Sequence, residues 1–374
     1  GLIYLFGAQT LSRGAGLLGA ATFLLIPRHF FHAHLLCFDV PIVTMVFATL
    51  YAFLLSERSR AWAVGAAVIW GFALLTKHNA FFVPIALVLY WGISRWKQFR
   101  VTRGRLELAP FPMAFLLMPP IGVTLLFALW PALWYEPFRS LAKYLAFHLK
   151  HAHYLQYYFG DILAVPPHPL AFPFVLTLLT VPAVILLAFS WGVVAFSRPS
   201  AGISRGIRVF YLVNLIVPIL VIAAPSTPVF GGVKHWMTAM PFFCLLAGHG
   251  VLHFSARFAA VFAPVLNRGA YRLAEFETTL RHSLTVLVAC LLLAASAFQL
   301  VDNHPQGTAY WNEWMGGIQG AARSRMQRQF WGYATLGALP WINRNIAERG
   351  GVYYHNATCS TAEMYKREGK LRED

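Results

Sequence analysis

Residues whose types could do chemistry are few in this chain, and they fall at the ends of apolar runs. The stretch FFHAHLLCFDVPI, from Phe30 to Ile42, sets His32, His34 and Asp39 directly before a long apolar segment. An ionised carboxylate opening such a segment is costly in a bilayer and is functional by default. A plainer reading also exists: Asp39 stands two residues before Pro41, as a helix cap would. A His-x-His pair with a nearby Asp has the donor types to hold a divalent ion, on a spacing that is not diagnostic. His32, His34 and Asp39 are therefore the metal candidates, and a divalent metal is the one cofactor the sequence suggests.

The basic residues near other segment ends carry more information. LLTKHNAFFVP places Lys77 and His78 in a tight turn between two apolar runs. FHLKHAHYLQYYFGD places His148, Lys150, His151 and His153 in a long loop, and FGGVKHWMTAMP places Lys234 and His235 just before another apolar run. None has an acidic neighbour in sequence. Cationic groups brought together without carboxylates make an anion site, and a phosphate carried on a lipid is the natural occupant at a membrane face. The competing reading is that they meet lipid head groups as interfacial anchors.

The elements that position these residues follow from composition. Of 374 residues, 58% are hydrophobic and 12% charged, against about 25% charged in an ordinary soluble domain. The chain reads as an all-α polytopic membrane protein. Spans are expected at 1–10 (the tail of one helix), 14–26, 39–55, 61–76, 79–94, 111–131, 171–196, 207–223, 238–255 and 283–300. That makes nine or ten, some of them short enough to require tilt or a broken pair. The net charge of +16 would point to nucleic acid in a soluble protein. Here no nucleic-acid partner is expected, because the basic residues sit in short loops between spans.

Those loops alternate. Arg13 with the segments 56–60, 94–105, 196–208 and 256–281 holds fifteen of the 21 basic residues before residue 301; Arg28, Lys77, Arg139, Lys143, Lys150 and Lys234 are the other six. By the positive-inside rule the first group is cytoplasmic. The 28–39 stretch, the Lys77 turn, 132–170, 224–237 and everything after about 301 then lie outside, where the membrane part has only three carboxylates, Asp39, Glu136 and Asp161. Residues 1–300 are expected to be the membrane domain. Residues 301–374 are expected to be a small extracytoplasmic α/β segment with helices near 333–347 and 361–370 and a strand near 351–357. NAT at 356–358 has the form of a glycosylation sequon. Cys37, Cys244, Cys290 and Cys359 suggest no disulfide framework, since two of them fall within spans.

At this point the residues resemble a family. IPRHFFHAHLLCFDVPIVTMVFATLYAFL and GFALLTKHNAFFVPIAL are similar to helical segments of the protein-mannosyltransferase-like glycosyltransferases, which have the GT-C membrane fold. YYFGDILAVPPHPLAFPFVLTLLTVPAVILL, VFGGVKHWMTAMPFFCLLAGHGV and AYWNEWMGGIQGAARSRMQRQFWGYATLGALPWIN resemble later blocks of the same family, in the same order. The resemblance implies transfer of a sugar from a polyprenyl-phosphate donor to a hydroxyl acceptor (protein, lipid or glycan), with inversion, on the outer face of the plasma (inner) membrane. It implies that Asp39 is the second acidic position of the site, an auxiliary acid, and that Lys77, Lys234 and His235 lie around the donor phosphate. His78, Lys150, His151 and His153 complete the expected substrate-binding set. The family's first-loop acidic pair has no counterpart here, so the main catalytic base, with one further helix and loop, is expected upstream of Gly1. The alternatives are a transporter or flippase of a lipid-linked anion, or a non-catalytic accessory subunit. A transporter would be expected to show an internal repeat or midplane charges, and the sequence has no clear sign of either.

Overall fold

A computed structural model of the chain describes residues 1–102, 105–107, 109–151, 153–198, 202–267, 272–330, 335–346 and 359–372. The membrane part is a helical bundle: α1 (Leu2–Thr10), α2 (Arg13–Leu25), α3 (Pro27–Ala33), α4 (Asp39–Ser56), α5 (Arg60–Thr76), α6 (Val83–Ser94), α7 (Met113–Leu129), α8 (Pro137–Leu149), α9 (Phe172–Thr180), α10 (Ala183–Ser197), α11 (Arg205–Ala223), α12 (Met240–Leu266) and α13 (Leu273–Asp302). Among the described residues, α4, α11, α13 and the run that includes α12 are long and apolar enough to cross a membrane. The bent pairs α2–α3 and α9–α10 raise this to six, and three shorter apolar helices accompany them. The chain is an integral membrane protein by this count, and the expected spans sit where the helices are.

Three spans differ in form from the expectation. The 171–196 segment is broken into α9 and α10, which meet at 118°. Pro182 is the reason, because it precedes α10 and cannot continue the ladder of α9. The 76° bend between α2 and α3 likewise falls at Pro27. At the C-terminal end of the 238–255 segment the helix continues to Leu266, since FSARFAAVFAPVL carries no breaker before its Pro264.

The core is apolar and aromatic. Phe6 packs edge-on against Phe47, Tyr51 and Phe242, with Phe210 and Tyr211 closing the cluster. Because lipid is as apolar as Leu, close backbone approach has to do much of the work between helices. Gly192 of α10 and Gly250 of α12 supply it. A Cβ at Gly192 would strike the Leu246 carbonyl, and one at Gly250 the Ala188 carbonyl.

The two ends of the bundle are chemically distinct, and three of the expected basic loops meet at one of them. At one end Glu57 meets Arg95 and Tyr90, and Arg205 lies over Trp96, which joins the 56–60, 94–105 and 196–208 segments. At the other end the 28–39, 77–82, 130–170 and 224–239 segments meet each other and residues 307–330. The 130–170 segment holds the amphipathic helix α8 and a hairpin of β3 (Gln156–Tyr158) and β4 (Asp161–Leu163); an earlier hairpin pairs β1 (Arg100–Thr102) with β2 (Arg105–Glu107). Beyond α13 lie α14 (Gly317–Arg323), α15 (Thr335–Asn345) and α16 (Cys359–Arg367). The last two fall where helices are expected, and the 351–357 strand and the 356–358 sequon lie outside the described residues.

Residues 307–330 are packed into the bundle. Asn312 donates to the carbonyls of Leu178 and Val181 at the broken end of α9. Arg28 is buried, donates from Nε and Nη2 to the Tyr310 carbonyl at 3.1 and 2.9 Å, and stacks against Trp311 and Phe330.

Candidate functional site

Asp39 is the first residue of α4, and the position before it, Phe38, makes no capping hydrogen bond. The carboxylate instead faces three side chains. Lys77 Nζ donates to Oδ1 at 2.7 Å, His32 Nδ1 lies 3.1 Å from Oδ2, and Cys37 Sγ lies 3.5 Å from the same oxygen. Asp39 and His32 are 3% and 2% exposed, so this is a buried cluster and not a surface pair. A buried ion pair is tolerated only with close geometry and further hydrogen bonds, and both are present.

Local structure fixes the cations. Lys77 ends α5 in extended backbone, followed by a 3₁₀ turn from His78 to Phe82. Trp70 Nε1 holds that turn by donating to the Ala80 carbonyl at 2.8 Å, and Asn79 Nδ2 ties it to the His235 carbonyl at 3.2 Å. The Lys77 ammonium lies over the Phe38 ring, 5.1 Å from its centre. Lys234 follows two glycines in left-handed conformation, Gly231 (φ 66°) and Gly232 (φ 68°), where any side chain would be strained. Its ammonium lies over Phe230, 4.6 Å from the ring centre, and His235 Nε2 is 2.9 Å from the Phe230 carbonyl. Trp236 anchors the turn below, donating to Thr177 Oγ1 at 2.8 Å.

Lys77, His78, Lys234 and His235 line one cavity of about 990 Å³. Its walls run along α4, α6 and α11 through Val46, Leu50, Ala86, Val217 and Val221. Tyr144, Phe147 and His148 of α8, with His151, complete it. The His78 and His148 rings stack at 3.9 Å, and His151 stacks on Phe230 at 4.9 Å. Burial, and after it the nearby His151 and Lys77, holds the His148 imidazole below its ordinary value. Bound anion would supply the opposite influence. The arrangement can hold a compact negative group between two lysines at one end of the cavity, with an apolar chain along the walls.

Of the expected binding residues, Lys77, His78, His151, Lys234 and His235 come together here. Lys150 is exposed and absent from the cavity wall. His153 pairs with His168, ring nitrogens 3.0 Å apart, away from the cavity. Among the metal candidates, His32 and Asp39 meet, whereas exposed His34 bonds the Phe30 carbonyl at 2.8 Å. Cys37, Phe38 and Asn79 are the members that sequence reasoning missed. A thiol two residues before the singled-out Asp39 was the one available signal.

Residues 1–121, which include Asp39 and Lys77, match the family model for dolichyl-phosphate-mannose-protein mannosyltransferase. In solved structures the chain is similar to ArnT from Cupriavidus metallidurans bound to undecaprenyl phosphate, at 15% identity and TM-score 0.50, covering 92% of this chain and 64% of that one. Its similarity to the apo state of the same protein is 13% identity and TM-score 0.51, with 92% and 63% covered. The chain thus spans a little under two thirds of ArnT's length. A comparison with curated protein sequences gives no match. The structural likeness gives the chain the GT-C membrane fold, and its first third matches the mannosyltransferase family model.

Proposed function

We propose that this chain carries the donor-phosphate site of a polyprenyl-phosphate-sugar glycosyltransferase, which passes a sugar to a hydroxyl acceptor with inversion on the extracytoplasmic face of the inner membrane. The observation that carries the reading is the buried Lys77–Asp39 pair at the edge of a large cavity that Lys234 and His235 also line. The matched family and the undecaprenyl phosphate bound to ArnT support the same reading.

The roles follow from charge. A donor phosphodiester carries one negative charge and the monoester it leaves behind about two, so cations at this point stabilise departure more than ground-state binding. Lys77 and Lys234 do this work, His235 and His78 line the same place, and His151 closes the side toward α8. Asp39 acts through Lys77. Its oxygens are engaged by Lys77 on one side and by His32 and Cys37 on the other, so it holds the cation in position and does not take the acceptor's proton. The apolar walls along α4, α6 and α11 take the polyprenyl chain. Residues 301–374 form the extracytoplasmic segment, docked through Arg28.

The test is transfer from a synthetic polyprenyl-phosphate sugar by the full-length protein and its Lys77→Ala and Lys234→Ala variants. Loss of one such contact costs on the order of 2–4 kcal/mol of transition-state stabilisation, a fall in kcat of roughly 30- to 1000-fold. Unchanged rates in both variants would rule the phosphate site out and leave these lysines as interfacial anchors.

A further inference from the structure

We propose that His32, Cys37 and Asp39 form a binding site for a soft divalent metal ion of the zinc class, at the joint between α3 and α4. The site stands independently of the glycosyl-transfer reading.

Its geometry is close to what such an ion requires. The three ligand atoms, His32 Nδ1, Cys37 Sγ and an Asp39 oxygen, all lie within 4.8 Å of one another. Zinc takes imidazole nitrogen and carboxylate oxygen at about 2.0–2.1 Å and thiolate sulfur at about 2.3 Å in a tetrahedron, which sets nitrogen-to-oxygen and sulfur-to-oxygen edges of about 3.3 and 3.6 Å. The corresponding separations here are 3.1 and 3.5 Å. Two edges of the tetrahedron are therefore in place, and the third, between His32 Nδ1 and Cys37 Sγ, is no longer than 4.8 Å.

The donor set selects the ion. Thiolate and imidazole favour zinc and its relatives, while calcium and magnesium take oxygen ligands. Asp39 divides its two oxygens: Lys77 holds Oδ1 at 2.7 Å, which orients Oδ2 toward His32 and Cys37. Such an outer hydrogen bond to a ligating carboxylate is the usual means of fixing its direction. On binding, the Cys37 thiol gives its proton to solvent and the sulfur–metal bond forms, with no change of oxidation state. Thiolate and carboxylate then balance the ion's two charges, and Lys77 keeps its own. Three protein ligands leave a fourth position for water. Cys37 is half-buried, not sealed, so the ion has a way in. The ion would tie the last turn of α3 to the first residue of α4 across the intervening loop, reinforcing the His32–Asp39 contact.

The experiment uses the purified full chain in detergent, stripped with a chelator and titrated with Co²⁺. The expected result is a thiolate-to-cobalt charge-transfer band in the near ultraviolet that saturates at one ion per chain and is bleached by added Zn²⁺. Cys37→Ser should abolish the band and Cys290→Ser should keep it. His32→Ala should weaken binding by roughly 10- to 100-fold, the scale seen when a metal's ligand environment is damaged. Absence of the band in the native chain, or its survival in Cys37→Ser, overturns the site. Neither readout depends on sugar transfer, so failure here and failure of the phosphate site are told apart.

Discussion

Two carboxylates stand at opposite ends of one helix, α4, and they are used in opposite ways. Asp39 opens it and Glu57 follows its last residue. The Asp39–Lys77 pair is 2.7 Å long with side chains 3% and 7% exposed; Glu57–Arg95 is 3.3 Å long with side chains 27% and 29% exposed. The helix dipole favours the first carboxylate and disfavours the second, which Arg95 and Tyr90 compensate. Water can relax around Glu57. Around Asp39 the nearest groups are Lys77, His32 and Cys37, and the turn after Lys77 is held by Trp70. The same residue chemistry is thus a rim contact at one end and a constructed site at the other.

Substitutions should separate the two ends sharply. The largest effect is expected for Asp39→Asn, which leaves the Lys77 ammonium buried without its counter-charge, at a cost on the order of 3–5 kcal/mol. Denaturant unfolding in detergent measures it. Adding Lys77→Met to that variant should restore much of the stability and none of the transfer activity, because it removes the stranded ammonium and leaves two uncharged side chains in place of the ion pair.

Next comes Gly232→Ala. A Cβ there meets Arg28 Nη1 at 3.0 Å in a left-handed conformation, and the conformation alone costs about 1–2 kcal/mol. The expected outcome is a lower unfolding midpoint together with reduced transfer, since the same turn carries Lys234. At the other end Glu57→Gln should cost less than about 1 kcal/mol and leave transfer unchanged. A large loss there would end the contrast.

The smallest effect is a pH dependence in the 130–170 segment. Burial, then the neighbouring His153, lowers the His168 imidazole pKa. The folded group therefore binds its proton less readily than the unfolded one. Its contribution to stability is full above about pH 6.5 and declines as the pH falls below that value. Faster amide exchange around 153–168 at the lower pH, abolished in His168→Gln, is the expected signature.

Much of this was legible in the sequence. A carboxylate opening an apolar run, a TKHN turn between two runs and a GGVKH turn before another marked Asp39, Lys77 and Lys234, because charge at a span end is rare enough to notice. Charge alternation sorted the loops by end. What was not legible depended on distance in the chain or on a pattern without contrast. Cys37 sits among apolar residues and reads as one of them until its sulfur is seen beside Asp39. Helix α8 is amphipathic and lies in a loop that hydropathy leaves blank, so of its cavity residues only His148 stood out and Tyr144 and Phe147 did not. Lys150 and His153 looked equivalent to His151, and only the end of α8 and the pairing with His168 set them apart. Arg28 counted as one more basic loop residue, since its partner carbonyl is 282 positions away.

That separation has a consequence for how the protein is made. The chain emerges in order, so Arg28 reaches the membrane with α3 while Tyr310 has yet to be synthesised. Through the insertion of ten further helices its guanidinium must stay hydrated or borrow lipid phosphate. It pairs with Tyr310 only once the segment after α13 has folded back onto the same Gly231–Gly232 turn that carries Lys234. The lysine turn therefore gains the Arg28–Tyr310 support only after α13 has been made, whereas Lys77 is already held by Asp39 and the Trp70 contact to its turn.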